Sequence, residues 1–142
     1  MNSERYEQGL KKLMEFIDES HQGGFTHTKL EDNLKDTAPD LTRFMLEFTY
    51  GEIYTREGLD NKERALVTIA SLATQGMLPQ LEMHINAGLT VGLTPNEIIE
   101  VFYQLISYTG FPKALNAIGV AKKVFTERKV QVVLPTKKQE NE

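Results

Sequence analysis

Cysteine is absent from the chain, which excludes disulfides, thiolate metal sites, iron–sulfur clusters and cysteine nucleophiles together. No apolar run approaches the roughly 18 to 20 residues needed to cross a bilayer. The opening Met-Asn-Ser-Glu-Arg-Tyr-Glu also lacks the apolar stretch of a secretory signal. A cytoplasmic protein without membrane contact is expected. Basic charge is not in excess: 16 Lys and Arg against 20 Asp and Glu give a formal net charge of -4. The basic residues are scattered among acidic ones, so the stripe that marks a nucleic-acid partner is missing. The three histidines, His21, His27 and His84, are too dispersed for close metal-ligand spacing, and no His-Glu-x-x-His or paired-aspartate loop occurs. No metal is expected.

What is present suits one helical domain. A chain of 142 residues, 40% of them hydrophobic, can bury a single continuous core without metal or disulfide staples. We expect that domain over residues 1–128, followed by a polar tail over residues 129–142. The tail contains Pro135, carries the pair Lys137-Lys138 and ends Lys-Lys-Gln-Glu-Asn-Glu, a composition that buries little surface. Val130 to Leu134 has strand-like content, but with no partner run it reads as extended chain.

Helical periodicity runs through the rest. Ser3 is placed to cap a helix carrying Leu10, Leu13, Met14 and Ile17, with Gly23-Gly24 as its stop. A short helix around Leu30 to Leu34 is expected, then a boundary at Pro39. Asp40 begins a helix bearing Leu41, Phe44, Met45, Phe48 and Ile53, with Gly51 as an interruption. Asp60-Asn61-Lys62-Glu63 has the form of a reciprocal helix-starting box. The helix after it is apolar or small on nearly every side from Ala65 to Ala73, as a central core helix must be. Gly76 and Gly92 bracket a helix with Pro79 at its start and His84 inside it. Thr94-Pro95-Asn96-Glu97 combines a threonine cap, an early proline and a reciprocal glutamate, starting a helix whose core face is Ile98, Phe102, Leu105 and Ile106. Gly110 and Pro112 punctuate the chain before a last helix burying Leu115, Ile118, Val124 and Phe125. The result is an all-α fold of six or seven helices.

His84 is the one titratable side chain useful near neutral pH that also falls at an enclosed position. On its helix it shares a face with Gln80, Ala87, Gly88 and Val91, small neighbours that leave room beside the ring. The plain alternative is a core histidine whose nitrogens are simply hydrogen-bonded. Glu63 lies in the first turn of the central helix, where a carboxylate can be drawn toward a substrate or can cap the backbone at Asp60. Arg64 offers a forked guanidinium for a carboxylate, or a solvated surface charge. Tyr50, Tyr54, Tyr103 and Tyr108 supply hydroxyls to line a pocket, though a tyrosine at helical spacing also packs. Glu82 points about 200° around the helix from His84 and stays outside the site.

Read in order, Arg5-Tyr6-Glu7-Gln8-Gly9, Tyr50 through Leu59, Glu82-x-His84, Gly92 through Ile98 and Tyr108-Thr109-Gly110-Phe111-Pro112 resemble the carboxymuconolactone decarboxylase family. The likeness runs from about Arg5 to Arg128 and is weakest between Ser20 and Ala38. It implies the carboxymuconolactone decarboxylase and alkylhydroperoxidase-D-like fold. A sister branch resembling alkylhydroperoxidase D carries a Cys-x-x-Cys pair before the histidine; here those places hold Met77 and Gln80, which excludes thiol peroxidase chemistry.

The resemblance implies a decarboxylase that needs no metal or organic cofactor, because the lactone substrate is its own electron sink. Such an enzyme stabilises an oxyanion and returns a proton to carbon. Under the resemblance His84 becomes the proton carrier, Glu63 orients or charges it, and Arg64 or a pocket tyrosine among Tyr50, Tyr54 and Tyr108 holds the substrate carboxylate. It also implies self-association, as a hexamer or trimer with the site near a subunit boundary. The chain departs from the decarboxylase pattern at Asn86, where an arginine is common, at Lys113, at Asn116, where a histidine is common, and at Tyr50 and Tyr54, where tryptophans are common. These departures leave open a related enzyme acting on a different small acid, or a non-catalytic helical binding protein.

Overall fold

The computed structural model describes residues 1–21 and 26–136, so the Gly23-Gly24 stop and the Lys137-Lys138 pair lie outside the described residues. Among the described residues seven α-helices follow in order: α1 (Glu4–Met14), α2 (His27–Leu34), α3 (Leu41–Phe44), α4 (Asn61–Gln75), α5 (Leu78–Thr90), α6 (Pro95–Thr109) and α7 (Phe111–Arg128). A π-helical segment, Met45–Ile53, continues directly from α3. Among the described residues there is no strand, and no helix is long and apolar enough to cross a membrane.

The main core is built by α4 to α7. Ile69, Leu81, Ile85, Ile98, Phe102 and Val124 are fully buried there, each worth roughly 1.5 to 3 kcal/mol of transfer free energy. The starts of α4 and α6 are fixed by complete capping boxes. Asp60 accepts from the Glu63 N–H while the Glu63 carboxylate accepts from the Asp60 N–H, and Thr94 and Glu97 repeat the arrangement. Gly76 ends α4 at a left-handed φ of 71°, which only glycine adopts without cost. On α7 the buried residues are Ala114, Ala117 and Ala121 with Val124 and Phe125. Leu115 is left exposed because the alanine stripe, lacking bulk, is what lets α7 lie close to its neighbours.

A second, smaller core joins α1 to the π-helical segment through Leu13, Phe16, Leu46 and Tyr50. Here two expectations are corrected. The first helix stops at Met14: the N–H groups of Glu15, Phe16 and Ile17 each bond three residues back in a tightening turn, and this swings Phe16 inward. The helix after Asp40 buries Leu46, Tyr50 and Gly51, not Leu41, Phe44, Phe48 and Ile53, which stay exposed. Thr42, Leu46 and Tyr50 are buried at steps of four, so it is the face one position round from Leu41, Phe44 and Phe48 that meets α1. Gly51 is not an interruption but a point of close approach, since a Cβ there would sit 2.6 Å from the Arg5 carbonyl oxygen.

Beyond α7, Lys129 takes a left-handed φ of 56° and the chain continues without helix or strand to residue 136. Val130 and Val132 pack on the main core. The Asn96 side chain clasps Val133 at both its N–H, 2.8 Å, and its carbonyl, 2.9 Å.

Candidate functional site

A hollow lies where the two cores meet. Its floor comes from α5, which turns Met83, His84, Asn86, Ala87 and Thr90 toward it. The π-helical segment adds Tyr50, α1 adds Leu13, the turn after α1 adds Phe16, Ile17, Asp18 and His21, and Arg128 closes one side from the end of α7. The hollow offers about 40 Å³ to the centre of a water-sized sphere, and about 460 Å³ of atom-free space once its open mouth is counted.

His84 is partly buried on this wall. Burial alone displaces its proton affinity, pushing the imidazole below the ordinary histidine value, and neither a carboxylate nor a hydrogen bond counters that effect. Tyr50 is 6% exposed, and burial, with a smaller effect of Tyr54, raises its phenol well above the ordinary tyrosine value. The hollow therefore presents a neutral imidazole and a phenol that keeps its proton. Tyr50 is held by aromatic contacts to Tyr54, centroids 4.8 Å apart, and to Phe16, 6.3 Å.

Arg128 is the cation of the site, its side chain only 10% exposed. Its Nη1 donates to the Asn86 carbonyl at 2.9 Å, to Asn86 Oδ1 at 3.4 Å and to Thr90 Oγ1 at 3.2 Å. Nη2 lies 3.6 Å from Asp18 Oδ2. Asp18 Oδ1 accepts from the Ser20 N–H at 2.9 Å and the Ser20 hydroxyl at 2.6 Å, while Oδ2 lies between Arg128 and His21, the latter at 3.5 Å.

Of the residues singled out from sequence, His84 and Tyr50 meet in this hollow. Glu63, Arg64, Tyr54 and Tyr108 do not line it. The Glu63 carboxylate accepts from the Asp60 N–H at 3.0 Å, the capping role. Arg64 donates to the Arg56 carbonyl at 2.7 Å and lies over the Tyr54 ring, 5.6 Å from its centroid, while its buried Nε has no partner among the described residues. The Tyr54 hydroxyl is bonded to Thr68 Oγ1 at 2.8 Å, so Tyr54 buttresses Tyr50 from behind. Tyr108 is 79% exposed at the end of α6. Glu82 pairs with Lys123 at 2.7 Å, away from the hollow.

A profile of the carboxymuconolactone decarboxylase family matches residues 39–123, more than half of the chain. The chain belongs to that family. It is 37% identical over 128 residues to the 4-carboxymuconolactone decarboxylase of Acinetobacter baylyi, covering 89% of this chain and 92% of that one. It is also 36% identical over 96 residues to an uncharacterized 15.0 kDa protein of Paracoccus denitrificans, covering 66% and 72%. A third relative, nitrosuccinic acid decarboxylase of Metarhizium robertsii, is 28% identical over 102 residues, covering 69% and 71%.

Within this carboxymuconolactone decarboxylase fold, sequence reasoning missed Asp18, His21, Thr90 and Arg128. Asn86 was noted as a departure from the family pattern and not as part of a wall. On α5 the hollow is served by Met83, Ala87 and Thr90 at steps of four and three, with His84 and Asn86 beside them, whereas Gly88 faces Ile69 and Leu93. The face drawn through Gln80, Gly88 and Val91 was rotated by part of a turn. Arg128, as the last residue of a helix, carried only the signal of a helix-ending cation.

Proposed function

We propose that the protein is a cofactor-independent carboxy-lyase acting on a small carboxylated lactone such as 4-carboxymuconolactone, with His84 as proton carrier and Tyr50 as oxyanion donor. The observation that carries this reading is an imidazole and a protonated phenol on the wall of one hollow. Membership of the family and the decarboxylase names of two relatives support it.

The chemistry balances without a cofactor. The bond between the ring carbon and the departing carboxylate breaks, carbon dioxide leaves, and the electron pair passes through the ring double bond to the lactone carbonyl oxygen. The Tyr50 O–H donates to that oxygen as charge gathers on it; a single donor of this kind is worth roughly 10² to 10³ in rate. His84, having taken a proton from solvent as the anionic substrate enters, passes it to the ring carbon and becomes neutral again. Glu63 and Arg64 act behind the site, fixing α4 and the Tyr54 buttress.

The same groups suit other small acids whose neighbouring substituent accepts an electron pair, and the nitrosuccinic acid decarboxylase relative favours that as the second reading. We propose aromatic-compound degradation as the enzyme's route and the cytoplasm as its compartment. We also propose a homo-oligomer, a hexamer or a trimer. Its support is exposed apolar surface: Leu41, Phe44 and Phe48 on α3 and the π-helical segment, and Tyr108, Phe111 and Leu115 around the α6–α7 junction.

The test is carbon dioxide release from 4-carboxymuconolactone by the protein and by His84→Gln. Turnover is expected to fall about 100-fold or more in the variant, with circular dichroism and melting temperature retained. Full turnover by His84→Gln would remove the imidazole from the mechanism. No release by the unaltered protein, with release from nitrosuccinate, would establish the second reading.

A further inference from the structure

We infer that Arg128 selects the substrate by holding a second carboxylate, the one that remains on the product. This deepens the decarboxylase reading and rests on it.

Arg128 is nine-tenths buried on the wall that also carries His84 and Tyr50. A guanidinium has five N–H donors in a planar fork. Three neutral acceptors, two from Asn86 and one from Thr90, all lie on Nη1. Among the described residues Nε and Nη2 make no hydrogen bond. The one carboxylate nearby among the described residues, Asp18, forms a long ion pair with Nη2 through Oδ2 at 3.6 Å, an oxygen it shares with His21 at 3.5 Å, while Oδ1 is taken by Ser20. A guanidinium this enclosed, held by one long ion pair, keeps donors on Nε and Nη2 for a second anion. The free edge of the fork has the shape that grips a carboxylate through two parallel bonds. Asn86 and Thr90, one helical turn apart on α5, fix the plane of the fork relative to His84 on the same helix.

The chemistry of decarboxylation says which carboxylate this is. A cation bonded to the departing group stabilises the charged ground state and not neutral carbon dioxide, so it slows the step. The departing carboxylate belongs against the apolar wall of Leu13, Phe16 and Ala87. The Arg128 fork suits a carboxylate that keeps its charge throughout. The ligand class is therefore a dicarboxylate with an electron-accepting group beside the carbon that loses carbon dioxide. Both 4-carboxymuconolactone and nitrosuccinic acid are of this class.

Succinate, a dicarboxylate that cannot react, is the direct probe. Calorimetry should show it binding the protein, about tenfold or more weaker in Arg128→Gln, and intermediate in Arg128→Lys, which keeps charge but not the fork. Asp18→Asn, which removes the competing carboxylate and leaves Arg128 in place, should bind succinate more tightly. In turnover of 4-carboxymuconolactone, Arg128→Gln should raise KM by about tenfold or more with a smaller change in kcat. The methyl ester of the retained carboxylate should be turned over equally by both proteins. Succinate binding that ignores Arg128, an Asp18→Asn variant that binds no better, or equal penalties on acid and ester would each overturn the inference. Arg128-dependent succinate binding with no carbon dioxide release from any acid would keep the anion site and defeat the decarboxylase reading.

Discussion

At the scale of single residues, one cause acts on both reactive groups: burial penalises charge, so it lowers the imidazole of His84 and raises the phenol of Tyr50. If the protonated imidazole delivers the proton, kcat/KM should fall as pH rises through a midpoint below the ordinary histidine value of about 6.5; a pH–rate profile measures it, and a midpoint above that value would contradict the burial. The same displacement sets a stability slope. Because the folded pKa lies below the unfolded one, the unfolded chain binds the extra proton as pH drops through about 6.5, and stability declines until the folded pKa is passed. Denaturant titrations of the protein and of His84→Gln should differ in this window and run parallel above it. Tyr50→Phe should cost about 10² to 10³ in kcat and little in melting temperature, since the ring and its contacts to Tyr54 and Phe16 remain. Glu63→Gln keeps an acceptor for the Asp60 N–H, so turnover should stay within about twofold and stability within about 1 kcal/mol.

At the scale of elements, the position of Tyr50 depends on how α1 meets the π-helical segment. A Cβ at Gly9 would sit 1.9 Å from the Leu46 carbonyl oxygen, and backbone cannot step aside as a flexible side chain can. Alanine has the better helix propensity by about 1 kcal/mol, yet Gly9→Ala should destabilise by about 1 to 3 kcal/mol, because forced repacking outweighs it. Urea unfolding would measure this, and a stabilised variant would show that α1 is not held by close backbone contact. Turnover should fall with it, since α1 carries Leu13 and leads into Phe16, both on the wall of the hollow. Helix starts at Asp60 and Thr94 and the stop at Gly76 were legible in sequence because caps are local chemistry, spelled by residues three or four apart. The π turn was not legible. Its bonding pattern, like the choice of the face through Thr42, Leu46 and Tyr50 over the more apolar one through Leu41, Phe44 and Phe48, is set by what packs against it.

At the scale of the whole molecule, those same residues acquire a purpose if copies of the chain assemble. Light scattering should give a mass several times that of one chain, and Phe44→Glu with Phe48→Glu should lower it while leaving the internal core intact; a monomeric mass for the unaltered protein would remove the proposal. The amino-acid sequence by itself determined that the chain is helical, where α4 to α7 begin and end, which family it belongs to, and that His84 and Tyr50 were worth watching. Each of those rests on neighbours in the chain or on motifs kept in order. Only the tertiary structure decided that Tyr54 stands behind Tyr50, and that Arg128 from the last helix meets Asp18 and Asn86 around one hollow. Groups tens of residues apart share a site through packing, and no local periodicity records which turn of one helix will face the end of another.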